Sequence, residues 1–182
     1  IRLGGMAKGS GMIHPNMATM LGFITCDVAV PLEEWQAMLR RVVGRSFNAI
    51  TVDGDTSTND LVLALSAGED LPSEHFGDLE DGLFMLTQYL AKSIARDGEG
   101  ATCLIEVKVQ GASSDDDALL IARTICGSSL VKTAINGCDP NWGRIVAAAG
   151  RSGTLFNAED VDLSIGPYQL MKAGEPCSFD KE

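Results

Sequence analysis

Ala18-Thr19 lies inside Lys8-Gly9-Ser10-Gly11-Met12-Ile13-His14-Pro15-Asn16-Met17-Ala18-Thr19-Met20-Leu21, the stretch whose residue types bear most directly on chemistry. A small residue precedes a hydroxyl residue, and the glycine-rich, Pro-Asn approach lets the backbone bend sharply at that bond. Strain there would let the Thr19 hydroxyl attack the Ala18 carbonyl and cut the chain. Thr19 would then be a new N-terminus. Its α-amine titrates near neutral pH, well below a lysine amine, so nucleophile and general base would share one residue. An Ala-Thr pair on its own is an ordinary helix or strand start, so the surroundings decide.

Two other residues stand in settings suited to holding a charged small molecule. Lys8 lies among glycines, where a carboxylate can approach without crowding; a lone lysine elsewhere is usually a solvated surface residue. Glu99, in Asp97-Gly98-Glu99-Gly100, has a glycine on each side that would place its carboxylate on a tight turn. There it can pair with an ammonium or assist proton transfer, or simply be an exposed turn glutamate. Lys8-Gly9-Ser10 is not a phosphate loop, because the G-x-x-x-x-G-K-[ST] order is absent. Asp53 to Asp60 invites a calcium reading. It fails the EF-hand pattern, with Thr58 where the glycine belongs and Ala64 where the terminal glutamate belongs. A loop held by its own side-chain to backbone hydrogen bonds, and able to shape the site as well, fits it better. The only two histidines, His14 and His75, are far apart, so neither a His-Asp nor a metal mechanism gains support. Arg144 reads as an ion-pair or buttressing residue.

Four ordered segments resemble the ornithine acetyltransferase family, also called bifunctional glutamate N-acetyltransferase/ornithine acetyltransferase, of arginine biosynthesis. They are Gly4 to Leu21; Ser46-Phe47-Asn48 with Thr51 to Asp60; Asp97 to Thr102; and Val131-Lys132-Thr133-Ala134 with Asp139-Pro140-Asn141-Trp142-Gly143-Arg144-Ile145. The resemblance runs over essentially the whole chain. It implies self-cleavage between Ala18 and Thr19, and transfer of the acetyl group of N-acetylornithine to glutamate through an acetyl-Thr19 intermediate. It also implies substrate binding by Lys8, Thr19 and Glu99, with no bound cofactor or metal; acetyl-CoA as a further co-substrate is left open. By resemblance, residues 1–18 end an upstream (alpha) segment and residues 19–182 form most of a downstream (beta) segment whose C-terminal part is missing. The family's oxyanion hole, a Thr-Gly pair, falls upstream of Ile1, and further substrate contacts fall beyond Glu182. The isolated fragment is therefore expected to be inactive without its upstream partner, and the whole is expected to be a heterotetramer of two alpha and two beta chains. The compartment implied is the cytoplasm, or the mitochondrial matrix or plastid stroma in a eukaryote. The alternatives are an N-terminal-nucleophile aminopeptidase or amidohydrolase that passes the acyl group to water, and an inactive fragment acting only as a binding domain.

The elements that must position these residues are legible from periodicity. The chain has 182 residues, 45% hydrophobic and 21% charged, enough for a real core. Its net charge of −11 argues against nucleic-acid and anionic-membrane partners. Five scattered cysteines without a Cys-x-x-Cys pair fit reduced thiols used as small apolar filler. Residues 1–18 read as a loop or extended approach. Met20 to Val30 reads as a buried strand. A helix starts at Pro31, with Glu33 and Glu34 in its first turn, and ends near Gly44 or Ser46. Leu61 to Leu65 reads as a short buried strand and Gly68 to Gly82 as a surface excursion. A helix runs through Leu83 to about Ala95, and Cys103 to Val109 alternates like a strand. Helices follow at Leu119 to Cys126, capped by Ser113 or Ser114, and at Trp142 to Gly150, and a last strand at Val161 to Ile165. Alternating helices and strands predict an α/β class. By resemblance the fold is two packed β-sheets flanked by helices, N-terminal-nucleophile-like and self-processing.

Overall fold

The computed structural model describes residues 1–14 and 20–178. The chain divides into two compact units, Ile1–Leu104 and Ile105–Glu182.

The first unit is built on a three-stranded sheet of β1 (Leu3–Lys8), β2 (Leu21–Ala29) and β3 (Leu61–Asp70), in the order β1-β2-β3. β1 pairs antiparallel with β2, and β3 pairs parallel with β2. A parallel neighbour needs a crossover, supplied by α1 (Leu32–Arg45). α2 (Phe76–Arg96) follows β3. Ile24 and Cys26 of the sheet, Trp35, Met38 and Val42 of α1, and Leu79 and Leu83 of α2 form one core cluster. Trp35 Nε1 donates to the Ala64 carbonyl at 3.1 Å, so the buried indole keeps its polar partner. α2 approaches β1 closely: a Cβ on Gly5 would lie 3.0 Å from Leu90, and one on Gly82 would lie 3.0 Å from Leu3.

Of the loop or extended approach expected before the junction, Leu3–Lys8 is extended, as a full strand. Three expectations change here. β2 and β3 are not buried on both faces. Gly22, Ile24 and Cys26 are buried, while Phe23 and Thr25 are exposed, and Leu61, Leu63 and Leu65 are exposed on β3. Met6, Phe23 and Leu63 stand opposite one another across the three strands. The acidic stretch after Gly68 is not an excursion either. Gly68–Asp70 completes β3, a 3-10 turn covers Ser73–His75, and α2 already begins at Phe76. Finally, Cys103 to Val109 joins no ladder among the described residues, although Ile105 to Gln110 keeps the alternating exposure.

The second unit carries α3 (Asp115–Cys126), α4 (Ser129–Asn136) and α5 (Trp142–Gly150), then a small antiparallel sheet of β4 (Leu163–Ile165), β5 (Tyr168–Lys172) and β6 (Glu175–Pro176). Each helix has a side-chain cap: Ser114 accepts from Asp117 N–H, Ser128 from Val131 N–H, and Asn141 from Arg144 N–H. Ile121, Ile125, Val131 and Ala148 make its core. α4, β5 and β6 were not anticipated from the sequence. All five cysteines are free, but only Cys26 is buried filler; Cys103 and Cys138 are exposed. Burial pushes the Cys126 thiol up. The class is α/β, with two small sheets and helices.

Among the described residues no single helix is long and apolar enough to cross a membrane, and no group of three or more His, Cys, Asp or Glu side chains could hold a metal ion.

Candidate active site

Ala18 and Thr19 lie outside the described residues, so the site is read from what surrounds them. β1 ends at Lys8, whose ladder partner is Leu21 on β2. Pairing therefore sets the exposed Lys8 beside the strand that begins two residues after Thr19. Beyond Lys8 the chain passes through Gly9-Ser10-Gly11 to Met12, which adopts φ 50°. A non-glycine residue in that left-handed region carries about 1–3 kcal/mol of strain. Met12 lies six residues ahead of Ala18; the strain expected at the Ala18–Thr19 bond itself falls outside the described residues.

Glu99 reaches the same segment. Its N–H donates to the Ser10 carbonyl at 2.7 Å, and a Cβ on Gly11 would lie 3.0 Å from Glu99 Oε2. The turn is shaped by its two glycines. Gly100 has φ 72°, and a Cβ on Gly98 would stand 2.9 Å from Val52 Cγ1. The Gly98-Glu99-Gly100 turn follows directly from the end of α2. Lys8 and Glu99, 91 positions apart in the chain, are joined to one short glycine segment. A cleft of about 680 Å³ opens there, lined by Ala7 to Gly11 and by Leu90, Ser93, Ile94 and Asp97 of the α2 end. Lys8 and Asp97 on the walls of an amphipathic cleft, with Glu99 on the adjoining turn, suit a zwitterionic amino acid. Asp97 was not singled out from sequence; it stands on the same turn as Glu99 and lines the cleft.

The polar loop of Thr51 to Asp60 also does more than hold itself together. Its internal bonds are there: Asp55 N–H donates to Asp53 Oδ1 at 3.0 Å, and Asn59 N–H to Ser57 Oγ at 3.2 Å. The same loop clasps both flanks of the junction. Upstream, Ile13 N–H donates to Asp53 Oδ1 at 3.1 Å, Val52 N–H donates to the Ile13 carbonyl at 2.6 Å, and Thr56 Oγ1 donates to the His14 carbonyl at 3.1 Å. His14 Nδ1 lies 3.0 Å from Thr51 Oγ1. Downstream, Met20 N–H donates to Asp60 Oδ1 at 2.6 Å, and Leu61 N–H donates to the Met20 carbonyl at 3.0 Å. Asp60 Oδ2 is buried with no hydrogen-bond partner among the described residues. Burial pushes the Asp60 carboxyl above the usual aspartate range, against the lowering effect of the Met20 N–H.

The motif in the second unit is structural within that unit. Asn141 caps α5 and donates to Asp139 Oδ2 at 2.9 Å. Arg144 Nη1 donates to the Leu130 carbonyl at 3.0 Å and to Thr133 Oγ1 at 3.1 Å. Arg144 is therefore seen as a buttress of α4, joining the two halves of the motif.

The chain is 65% identical to the arginine biosynthesis bifunctional protein ArgJ of Prochlorococcus marinus (strain MIT 9313), over 100% of this chain and 42% of that protein. It is also 65% identical to the same-named protein of Parasynechococcus marenigrum (strain WH8102), over 100% of this chain and 44% of that protein. The chain thus spans less than half the length of these relatives. The crystal structure of the arginine biosynthesis bifunctional protein argJ from Bacillus halodurans superposes with a TM-score of 0.86 at 46% identity, covering 89% of this chain and 79% of that one. The ArgJ family model matches residues 1–182, and with the strand pairing, the Glu99 turn and the clasped junction in place, this chain belongs to the ArgJ family.

Proposed function

We propose that the protein containing this chain is an acetyltransferase of arginine biosynthesis, that the Ala18–Thr19 bond is cut, and that Thr19 is the nucleophile. One observation carries the reading: the strand ending in Lys8 is paired with the strand that begins just after Thr19, and Glu99 is bonded to the same segment at Ser10. The printed names of the relatives point the same way and do not favour a hydrolase or a mere binding domain.

Thr19 Oγ attacks the acetyl carbonyl of N-acetylornithine, its proton passing to the α-amine. The amide C–N bond breaks, ornithine leaves with that proton, and an acetyl ester remains on Thr19. The glutamate amine then attacks the ester, N-acetylglutamate departs, and the hydroxyl is restored. Lys8 holds a substrate carboxylate and Glu99 an ammonium. Acetyl-CoA is a second donor to be tried. The activity belongs in the cytoplasm, and the assembly is two copies of each cut segment. Polypeptide outside this chain supplies the oxyanion-stabilising donors and covers the apolar sheet face of Met6, Phe23 and Leu63.

The test is intact-mass analysis of the full-length protein. A new N-terminal Thr19, and an adduct of about 42 Da after N-acetylornithine is added and glutamate withheld, are the expected results. Thr19→Ala abolishes both, and Thr19→Ser keeps part of each. Normal turnover by Thr19→Ala, or release of acetate to water in place of transfer to glutamate, overturns the reading.

A further inference from the structure

The cleft between β1 and α2 has two unlike walls. One is the strand end with its glycine segment, Ala7 to Gly11, and carries Lys8. The other is a single face of α2 and its end: Leu90, Ser93, Ile94 and Asp97 fall at the i, i+3, i+4 and i+7 positions. Leu90 and Ile94 belong to the apolar packing around Ile13, Met20 and Phe47, and make this wall apolar. The Ser93 hydroxyl is turned to its own helix, donating to the Tyr89 carbonyl at 2.8 Å. Asp97 caps the helix, and its N–H donates to the Ser93 carbonyl at 3.0 Å, so its backbone is fixed at the helix end. Of the two acids on the turn, Asp97 is the one on the cleft wall. Glu99 lies over Gly11, with Oε2 3.0 Å from where a Cβ on that glycine would stand.

Charge and shape at the helix wall favour a cation on an aliphatic stem. The last carbonyls of a helix carry about half a negative charge, and a carboxylate at the C-cap adds to it. Arg96 falls outside the i, i+3, i+4, i+7 pattern and so stands off this face. The end of α2 therefore repels an incoming anion and attracts an ammonium, whose methylenes can lie along Leu90 and Ile94. Donor and acceptor differ in this respect: the side chain of N-acetylornithine ends in an ammonium, and that of glutamate in a carboxylate. We propose that Asp97 is the specificity-determining residue of the cleft, receiving the side-chain ammonium that the donor carries and the acceptor lacks. This rests on the reading of the site as one that moves acetyl from N-acetylornithine to glutamate. Lys8 then holds the carboxylate common to both, and Glu99 serves the α-amine.

The experiment compares the full-length wild type with Asp97→Asn, which keeps the shape and removes the charge. It measures kcat and KM for N-acetylornithine, for N-acetylnorvaline (the same chain without the side-chain amine) and for glutamate. A solvent-exposed ion pair is modest, so kcat/KM for N-acetylornithine is expected to fall about fivefold, through KM. N-acetylnorvaline should stay within about twofold of wild type, and KM for glutamate should be unchanged or lower. Asp97→Glu, which keeps the charge, should recover part of the preference for the donor. A merely structural role would weaken all three substrates alike. An equal loss on all three, or an unchanged ratio of N-acetylornithine to N-acetylnorvaline, overturns the proposal alone. Should Asp97→Asn fail to fold, Asp97→Ser carries the same comparison. A wild type that transfers no acetyl group from N-acetylornithine to glutamate overturns the underlying reading, and the proposal with it.

Discussion

Ile13 and Met20, on either side of the Ala18–Thr19 bond, are buried in one hydrophobic cluster, at 0% and 2% exposure, with Phe47, Ala91 and Ile94. The clasp of the Thr51 to Asp60 loop adds backbone bonds to the same two residues. Both flanks are therefore held by groups that do not depend on the bond between them. After cutting, the two segments are expected to co-elute under native conditions and to separate only in denaturant. Phe47→Ala opens a cavity between the anchors; it should cost about 3–5 kcal/mol and slow cutting, as read by denaturant titration and by the time course of the cleaved bands.

The Glu99 turn is sterically set by Gly98. A methyl there meets Val52, a β-branched side chain with little rotamer freedom. Gly98→Ala is expected to displace Glu99 and raise KM for the amino-acid substrates about tenfold, with a smaller change in kcat. Steady-state kinetics on the full-length protein checks this, and an unchanged KM would remove Glu99 from substrate binding.

Asp60 gives a stability prediction with a definite sign. Burial raises its carboxyl in the folded state, so the native protein holds that proton more tightly than the unfolded chain does. Its contribution is fully present below the ordinary aspartate value of about 3.9 and is lost as pH rises through the higher native value. Asp60→Asn removes this liability. The variant is expected to gain more thermal stability over wild type at pH 7 than at pH 3. A gain that is equal at both pH values would show that Asp60 is not desolvated.

Gly68 sits beside the register shift of the β2–β3 pair, at φ 140°, and a Cβ there would lie 2.1 Å from the Asp27 carbonyl oxygen. Gly68→Ala forces the strands apart, at about 3 kcal/mol. Denaturant unfolding measures it.

Leu63 is 42% exposed on a sheet face that also shows Met6 and Phe23. The isolated chain is expected to self-associate through this face, and Leu63→Lys to make it monomeric in sedimentation. In the full-length protein the same substitution should instead cost about 2 kcal/mol on the proposed reading that further polypeptide covers this face.

Much of the helical framework could be read locally. Pro31 with Glu33 and Glu34 marked the start of α1, Ser113 or Ser114 the start of α3, and apolar spacing the body of α2. The strands were less legible. β1 is LGGMAK, whose glycines leave few side chains to alternate, and β3 presents leucines outward, which imitates a fully buried run. Lys8 and Glu99 were nominated by residue type and resemblance, and the structure joins both to the Gly9–Gly11 segment. Asp60, Asp97 and the part played by His14 were missed, because each matters through a partner far along the chain.

The sequence by itself determined the family and most helix boundaries and nominated the Ala18–Thr19 bond, since motifs, caps, prolines and helical spacing act over a few residues. Only the tertiary structure decided that Lys8 stands opposite Leu21, that Glu99 bonds Ser10, and that Asp53 and Asp60 hold the two flanks of the junction. Those contacts are hydrogen bonds between segments tens of residues apart, and no local periodicity encodes which donor meets which acceptor until the core has closed.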